Sequence, residues 1–202
     1  MTVLVIETAT AACSVALLDG DRVVAARHEL VGRGHAERLV PMIGEVLAEA
    51  GMKHTDMIQV DCGPGSFTGI RVGLAAARAL SLAWHVPVTG YSALALIAAT
   101  AKENVGVAIT GGHGELFVQR FARTPLTALG DLRSLAPAAA AAAISDSLVL
   151  GSGAAALVAA RGTGRADEAF PNAADARLLP STLTGLPPTP LYGRAPDAKL
   201  PQ

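Results

Sequence analysis

The feature that most constrains the fold of this chain is a glycine-rich loop between a strand and a helix. Met57–Asp61 is predicted as a short buried strand, the loop Gly63–Gly69 follows it, and a helix is predicted to reach about His85. A strand, a tight loop and a helix in this order form the first part of a crossover between parallel strands. The chain is therefore predicted to be an α/β protein.

The flanking segments predict a meander, further helices and the start of a second sheet. Before the loop, three strands are predicted at Val3–Ile6, Cys13–Leu18 and Arg22–Arg27. An amphipathic helix is predicted at Leu39–Ala50 and ends near Gly51. Pro41 either lies in the first turn of that helix or bends it. After the loop, the predicted elements are an extended Pro87–Thr89, a helix capped by Ser92 that runs to about Glu103, and a hairpin of Val105–Ile109 with Leu116–Phe121. Beyond Pro125, only a helix at Ala138–Ala143 and a strand at Leu148–Leu150 are predicted.

The composition excludes several classes of protein. Apolar residues make up 51% of the 202 residues and charged residues 16%, so the chain can bury a substantial core in one or two domains. A formal charge of −1 and an aromatic content of 3% argue against a nucleic-acid-binding surface of its own. No basic region precedes the N-terminal apolar run, and charged residues interrupt the apolar stretch from Ile70 to Ala101. Neither a signal peptide nor a membrane span is predicted, and a cytoplasmic location is expected.

No set of residues has the spacing of a catalytic or metal site. The five histidines form no HxxxH pair and lie at no zinc-ligand spacing from a cysteine, so neither a metal nor another cofactor is predicted. Ser14 and Ser66 lack the GxSxG context of a nucleophile, and hydroxyls that satisfy local backbone are the simpler interpretation. Cys13 and Cys62 form no CxxC pair, which favours buried free thiols.

The glycine loop itself leaves two interpretations open. Its glycines allow backbone amides to approach an anion at a helix N-terminus. The loop nevertheless has neither the lysine of GxxxxGK[ST] nor the spacing of GxGxxG. The alternative is a tight turn that is needed to pack the helix on its strand.

Three stretches taken together resemble the TsaB (YeaZ) family. They are Val5–Leu17 (VIETATAACSVAL), Arg33–Pro41 (RGHAERLVP) and Gly63–Leu74 (GPGSFTGIRVGL), and the match resumes at Gly114–Val118 and Leu191–Lys199. TsaB is the dimerization subunit of the bacterial complex that makes threonylcarbamoyladenosine in tRNA. The family usually has an aspartate at the position of Glu7 and an Asp-Ala-Arg-like segment at Thr110–Gly112.

The resemblance implies an actin-like, sugar-kinase-like ATPase fold with two ribonuclease H-like α/β halves in tandem. The first half is expected at residues 1–104, and a shortened second half with a Pro-rich tail at residues 105–202. The resemblance also implies weak nucleotide binding by Glu7, Thr8, Gly63 and Gly65.

The function that the resemblance implies is that of a non-catalytic scaffold. The chain is expected to be required for threonylcarbamoyl transfer to the tRNA adenosine beside the anticodon, acting through the catalytic paralogue TsaD and the ATPase TsaE. It is expected to meet tRNA only through the complex and to be either a monomer or a homodimer when alone. The alternative is an ATP-dependent phosphotransferase or acyltransferase of the same fold, which the glycine loop alone supports.

The helix after the glycine loop is apolar or small around nearly its whole circumference, so one face can cover the sheet and another can bind a partner. Gly69, Gly73 and Ala77, four residues apart, allow close approach of another helix. Together with the Leu39–Ala50 helix they are predicted to form a four-helix bundle with the partner. Gly73→Leu is therefore expected to weaken partner binding more than it lowers stability. The alternative is burial of these faces within one chain. The predicted interface residues are Leu39, Val40, Ile43, Val46, Leu47, Gly69, Ile70, Gly73, Ala77, Leu80 and Trp84.

Overall fold

The computed structural model describes residues 1–191, so most of the C-terminal stretch Leu191–Lys199 that contributes to the family resemblance lies outside the described residues. The described chain forms two five-stranded mixed sheets with helices packed against them. The first sheet has the order β3-β2-β1-β4-β5 and consists of β1 (Thr2–Glu7), β2 (Ala12–Asp19), β3 (Arg22–Leu30), β4 (Met57–Asp61) and β5 (Val88–Tyr91). Its helices are α1 (His35–Glu49), α2 (Phe67–Trp84) and α3 (Ala93–Ala98).

The second sheet is built from the later part of the chain. Its order is β10-β9-β6-β7-β8, and its strands are β6 (Val105–Thr110), β7 (Leu116–Arg123), β8 (Leu126–Leu135), β9 (Leu148–Leu150) and β10 (Arg165–Asp167). The accompanying helices are α4 (Pro137–Ala143) and α5 (Ala154–Arg161), with short 3₁₀ helices at Gly112–Gly114, Ala173–Leu178 and Ser181–Leu183. None of the helices in the described part of the chain is both long and apolar enough to cross a membrane.

The pairing of the first sheet confirms the meander and the parallel crossover. Strands β1, β2 and β3 pair antiparallel, whereas β1 pairs parallel with β4 and β4 parallel with β5. The helix predicted after the glycine loop is α2, and it begins where the Ser66 hydroxyl accepts a hydrogen bond from the Gly69 N–H at 3.2 Å. It ends at Trp84, and the C-cap residue His85 adopts a left-handed conformation with φ of 56°.

Two of the predicted helices differ in length from the observed ones. Helix α1 begins at His35, so Pro41 lies in its second turn, and the helix continues through it to Glu49. Helix α3 ends at Ala98 instead of near Glu103, because the Thr100 hydroxyl bonds the Ile97 carbonyl at 2.8 Å and the chain turns there. Ser92 occupies the N-cap position of α3 as predicted, but its side chain makes no capping hydrogen bond.

The hairpin of β6 and β7 is confirmed, and so are the predicted helix α4 and strand β9. Strands β8 and β10 and helix α5 are additional elements that the sequence did not predict.

Residues 173–191 return from the second sheet to the first. The Ala173 N–H donates to the Ser14 hydroxyl at 3.0 Å, Leu186 forms an isolated antiparallel bridge with Gly90 on β5, and the Leu191 N–H donates to the Cys62 carbonyl at 2.7 Å. The division at residues 104 and 105 therefore stays a prediction, since this last segment packs on the first sheet.

Candidate functional site

The side of α2 that carries its glycines packs on the chain's own sheet. The Thr8 hydroxyl donates to the Gly69 carbonyl at 2.8 Å, and a Cβ added at Gly73 would overlap that hydroxyl. The small residues of α2 thus allow close approach of the helix to β1, within the same chain.

The predicted partner interface stays a prediction, but this packing places most of its residues against the chain's own sheet. Both helices direct their most apolar face to the sheet, because the apolar surface of the sheet must be buried for the chain itself to fold. Trp84 and Leu80 are half-buried, and Val40 is exposed. The other eight predicted residues lie in the chain's own core: Leu39, Ile43, Val46, Leu47, Gly69, Ile70, Gly73 and Ala77.

The opposite faces of the same two helices are exposed and carry apolar or small residues, with Glu37 of α1 and Arg71 and Arg78 of α2 among them. Val40 on α1 is 65% exposed and Leu82 on α2 is 76% exposed. Small residues recur every fourth position beside them and are exposed as well. We call this surface the α1/α2 face; its residues are Ala36, Val40, Gly44 and Ala48 of α1 and Ala75, Ala79, Leu82 and Ala83 of α2.

Ion pairs border the α1/α2 face on the α1 side. Arg38 bonds Glu29 of β3 at 2.6 Å and Glu45 of α1 at 2.7 Å, and Arg27 bonds Glu49 at 2.7 Å. Exposed pairs such as these contribute little to stability. Their effect here is to tie α1 to β3 and to place charged groups at the rim of an apolar surface, the arrangement that protein interfaces use.

A cleft between the two sheets lies beyond the glycine loop. It encloses about 410 Å³ and is lined on one side by Ala9, Thr10, Gly65 and Ser66. The other side is formed by the second half of the chain, with Ile109, Thr110, Gly111, Gly112, Ser152 and Phe170. Hydroxyls and backbone groups provide most of the polar atoms of this lining.

Of the four predicted nucleotide-binding residues, only Gly65 lines this cleft. Glu7 and Thr8 are fully buried, and Gly63 is buried behind the loop. At Gly65 a Cβ would overlap the Ala9 carbonyl, to which the neighbouring Ser66 N–H donates at 2.6 Å. The loop therefore has the close backbone approach of a tight turn. Nucleotide binding by the predicted set stays a prediction, and Glu7 does not line the cleft.

The candidate nucleophiles are engaged in local hydrogen bonds. Ser66 caps α2, and the buried Ser14 hydroxyl donates to the Arg27 carbonyl at 3.0 Å. His35 is buried, and its Nε2 lies 3.1 Å from the Ala12 carbonyl. Among residues 1–191, no three His, Cys, Asp or Glu side chains gather as a metal site. Within this part of the chain, the hydrogen-bond partners of Ser14 and Ser66 are backbone groups and the Asn172 side chain, so neither hydroxyl is paired with a carboxylate or an imidazole.

Both cysteines are buried and free. Burial raises the pKa of Cys13 to about 11 and that of Cys62 to about 12. A thiol with so high a pKa is almost entirely protonated at neutral pH and is a poor nucleophile.

Sequence reasoning missed one group of titratable residues. Glu7 and Asp61, at the ends of adjacent strands β1 and β4, are fully buried, and their carboxyls are in contact. Burial is the largest cause that raises the pKa of Glu7 well above its ordinary value and that of Asp61 to about 7. Each acid lies at the carboxyl end of a predicted strand, and parallel pairing of these strands brings the two ends to one edge, but the sequence does not set the register that puts the carboxyls in contact.

Comparisons with known proteins agree with this architecture. A family model described as "TsaD: tRNA N6-adenosine threonylcarbamoyltransferase" matches residues 25–173. The tRNA threonylcarbamoyladenosine biosynthesis protein TsaB of Escherichia coli is 38% identical, over 61% of this chain and 56% of that protein. The chain thus spans just over half the length of this relative. A protein of Mycobacterium tuberculosis is 34% identical over 98% of this chain and 94% of its own length.

Solved structures show the same fold. YeaZ from Pseudomonas aeruginosa superimposes with a TM-score of 0.80 at 29% identity, over 95% of this chain and 99% of that one. The predicted actin-like, sugar-kinase-like α/β fold is thereby confirmed. The chain belongs to the TsaB (YeaZ) family.

Proposed function

We propose that this chain is a non-catalytic dimerization subunit in the biosynthesis of threonylcarbamoyladenosine in tRNA. Membership of the TsaB family supports the pathway. The exposed, apolar α1/α2 face is the observation that carries the scaffold role, because an apolar surface of this kind with a charged rim is typical of a protein-binding site. The catalytic paralogue TsaD is the proposed partner on this face, with the ATPase TsaE as a further subunit.

The hydrogen bonds of Ser14, Ser66 and His35 support the assignment of the chemistry to the partner. Each of these polar groups is used to hold the fold, and burial keeps both thiols protonated. In this proposal tRNA meets the chain only through the complex, and the chain acts in the cytoplasm. Without its partner, the α1/α2 face is expected to pair with a second copy of the chain.

Leu82→Glu tests the proposed partner surface. A carboxylate at this exposed position leaves the core unchanged but must be desolvated when a partner covers it. Substitutions of this kind at the centre of an interface typically cost about 2 kcal/mol or more of binding free energy. We expect the free chain to stay folded while its affinity for TsaD falls by about 30-fold. Isothermal titration with purified TsaD gives the affinity, and tRNA modification in cells gives the consequence.

Leu129→Glu is the matched control, because Leu129 is an exposed leucine on β8 of the second sheet. It is expected to leave TsaD affinity unchanged. Equal affinities for wild type and Leu82→Glu would place the partner elsewhere. Light scattering of the free chain reports in addition whether the same substitution dissociates a homodimer.

The alternative function, an ATP-dependent phosphotransferase or acyltransferase, has one observation in its favour, the cleft of about 410 Å³ lined by hydroxyls. Against it stands the burial of Glu7, which leaves the glycine loop without an accessible carboxylate nearby for metal-bound phosphate. We expect ATP with magnesium to leave the melting temperature unchanged. A specific ligand at 100 times its dissociation constant would add about 2.7 kcal/mol of stability, so a clear upward shift would favour the alternative.

A further inference from the structure

Three ionisable side chains lie in a row at the carboxyl ends of β1, β4 and β5. The ladders pair Ile6 with Val60 and Asp61 with Tyr91, so the next step along β1 places Glu7 beside Asp61. Residues in register on neighbouring parallel strands point to the same face, about 4.8 Å apart. All three side chains are fully buried.

Each carboxyl has one oxygen that is satisfied and one that is not. Glu7 Oε1 accepts a hydrogen bond from the Ala9 N–H at 2.8 Å, and Asp61 Oδ1 accepts one from the Gly63 N–H at 3.0 Å. Glu7 Oε2 and Asp61 Oδ2 are buried without a partner, although the two carboxyls are in hydrogen-bonding contact. Two carboxylates cannot bond each other, but one proton placed between the two remaining oxygens satisfies both.

Among residues 1–191, the surroundings of the pair supply no countercharge for a second anion. The titratable groups that face the pair are Tyr91 of β5, Cys62, which follows β4, and Cys13 of β2, and none of these is a cation. The Tyr91 hydroxyl donates to the Ile6 carbonyl at 2.8 Å. Burial and Asp61 raise the pKa of Glu7 by more than its contact with Tyr91 lowers it. Burial raises the pKa of both acids, but backbone N–H groups, that of Gly63 first, lower the pKa of Asp61, so Asp61 ionises more readily and Glu7 retains the proton.

We propose that Glu7 and Asp61 share one proton at neutral pH and that this proton locks the glycine loop onto the end of β1. The same carboxyls hold the backbone N–H groups of Ala9 and Gly63, at the start of the two segments that meet there. These segments are joined by the bond from the Ser66 N–H to the Ala9 carbonyl at 2.6 Å. Since Ala9 and Ser66 line the cleft, loss of the proton changes the wall of the cleft.

The expected direction of the pH effect follows from linkage. Both carboxyls have a pKa in the folded protein above their ordinary values of 4.5 and 3.8. The folded state therefore binds more protons than the unfolded chain as the pH rises above those values, and stability falls with increasing pH. The loss continues until the pair is fully ionised, when two adjacent anions repel each other.

Glu7→Gln is the variant that separates the proton from the hydrogen bond. The amide of glutamine can accept from the Ala9 N–H and donate to Asp61 as protonated Glu7 does, but it does not titrate. Between about pH 5 and about pH 8, we expect the melting temperature of the wild type to fall relative to Glu7→Gln by roughly 3–5 °C per pH unit. Parallel profiles for the two proteins would overturn the proposal.

Infrared spectroscopy detects the proton directly. The wild type is expected to show the carbonyl stretch of a buried protonated carboxyl at neutral pH, and Glu7→Gln is expected to lack it. Asp61→Asn removes the neighbouring charge and should shift the loss of this band to lower pH. Absence of the band in the wild type would rule out the shared proton.

Amide hydrogen exchange tests the lock itself. Raising the pH should accelerate exchange at Ser66, relative to the intrinsic rate, in the wild type but not in Glu7→Gln. Equal acceleration in both proteins would show that the proton does not hold the loop. The variants leave the α1/α2 face unchanged, so this result is independent of partner binding.

Discussion

At the scale of single residues, the glycines of α2 show that a small residue indicates a close contact but does not identify the group in contact. Gly73 permits contact with the Thr8 hydroxyl, one strand away in the same chain. We therefore expect Gly73→Leu to lower the free energy of unfolding by about 1–3 kcal/mol, since the added side chain overpacks the contact between helix and sheet. Urea denaturation of the free chain measures this effect. The outcome expected from the sequence, a loss of partner binding with little loss of stability, is the competing result of this experiment.

Ala79→Leu is the natural control for this substitution. Ala79 lies on the same helix and is exposed. Its enlargement should leave the free energy of unfolding unchanged and should alter the affinity for TsaD instead. If Gly73→Leu were as stable as wild type and Ala79→Leu were unfolded, the assignment of the two helix faces would be wrong.

At the scale of elements, the sequence predicts those helices and strands whose residue patterns are compatible with only one structure. The strand Met57–Asp61 with its glycine loop has few alternatives to a parallel crossover, and the hairpin of β6 and β7 is marked by its glycines. Strand β8 was missed because it is an edge strand that is largely exposed and contains Gly130 and Asp131, two residues that strands disfavour.

The candidate site was predicted only in part, for a related reason. The two helices were identified correctly, but α2 is apolar or small around nearly its whole circumference, so periodicity does not say which face the sheet covers. Which face of α2 packs on the sheet depends on contacts between residues far apart in the sequence, those of Gly69 and Gly73 with Thr8. The Glu7–Asp61 contact similarly depends on the register of β1 against β4, which is settled by the sheet as a whole.

At the scale of the molecule, the two sheets do not correspond to two separate, consecutive segments of the chain. Residues 173–191 follow the second sheet but cover the first, burying Ala173, Ala176 and Leu179. They also satisfy the Ser14 hydroxyl of β2 through the Ala173 N–H. The first sheet is therefore completed by the end of the described chain, and its stability is coupled to the whole.

This coupling predicts that residues 1–104 do not fold stably alone. Without residues 173–191, the apolar surface of the first sheet is exposed and the buried Ser14 hydroxyl loses a hydrogen-bonding partner. We expect the fragment to unfold without a cooperative transition and to bind a hydrophobic dye, in contrast to the full chain. Addition of a peptide that comprises residues 170–191 should restore part of the folded signal. A fragment that melts cooperatively without the peptide would show that the first half is autonomous and that its later cover is dispensable.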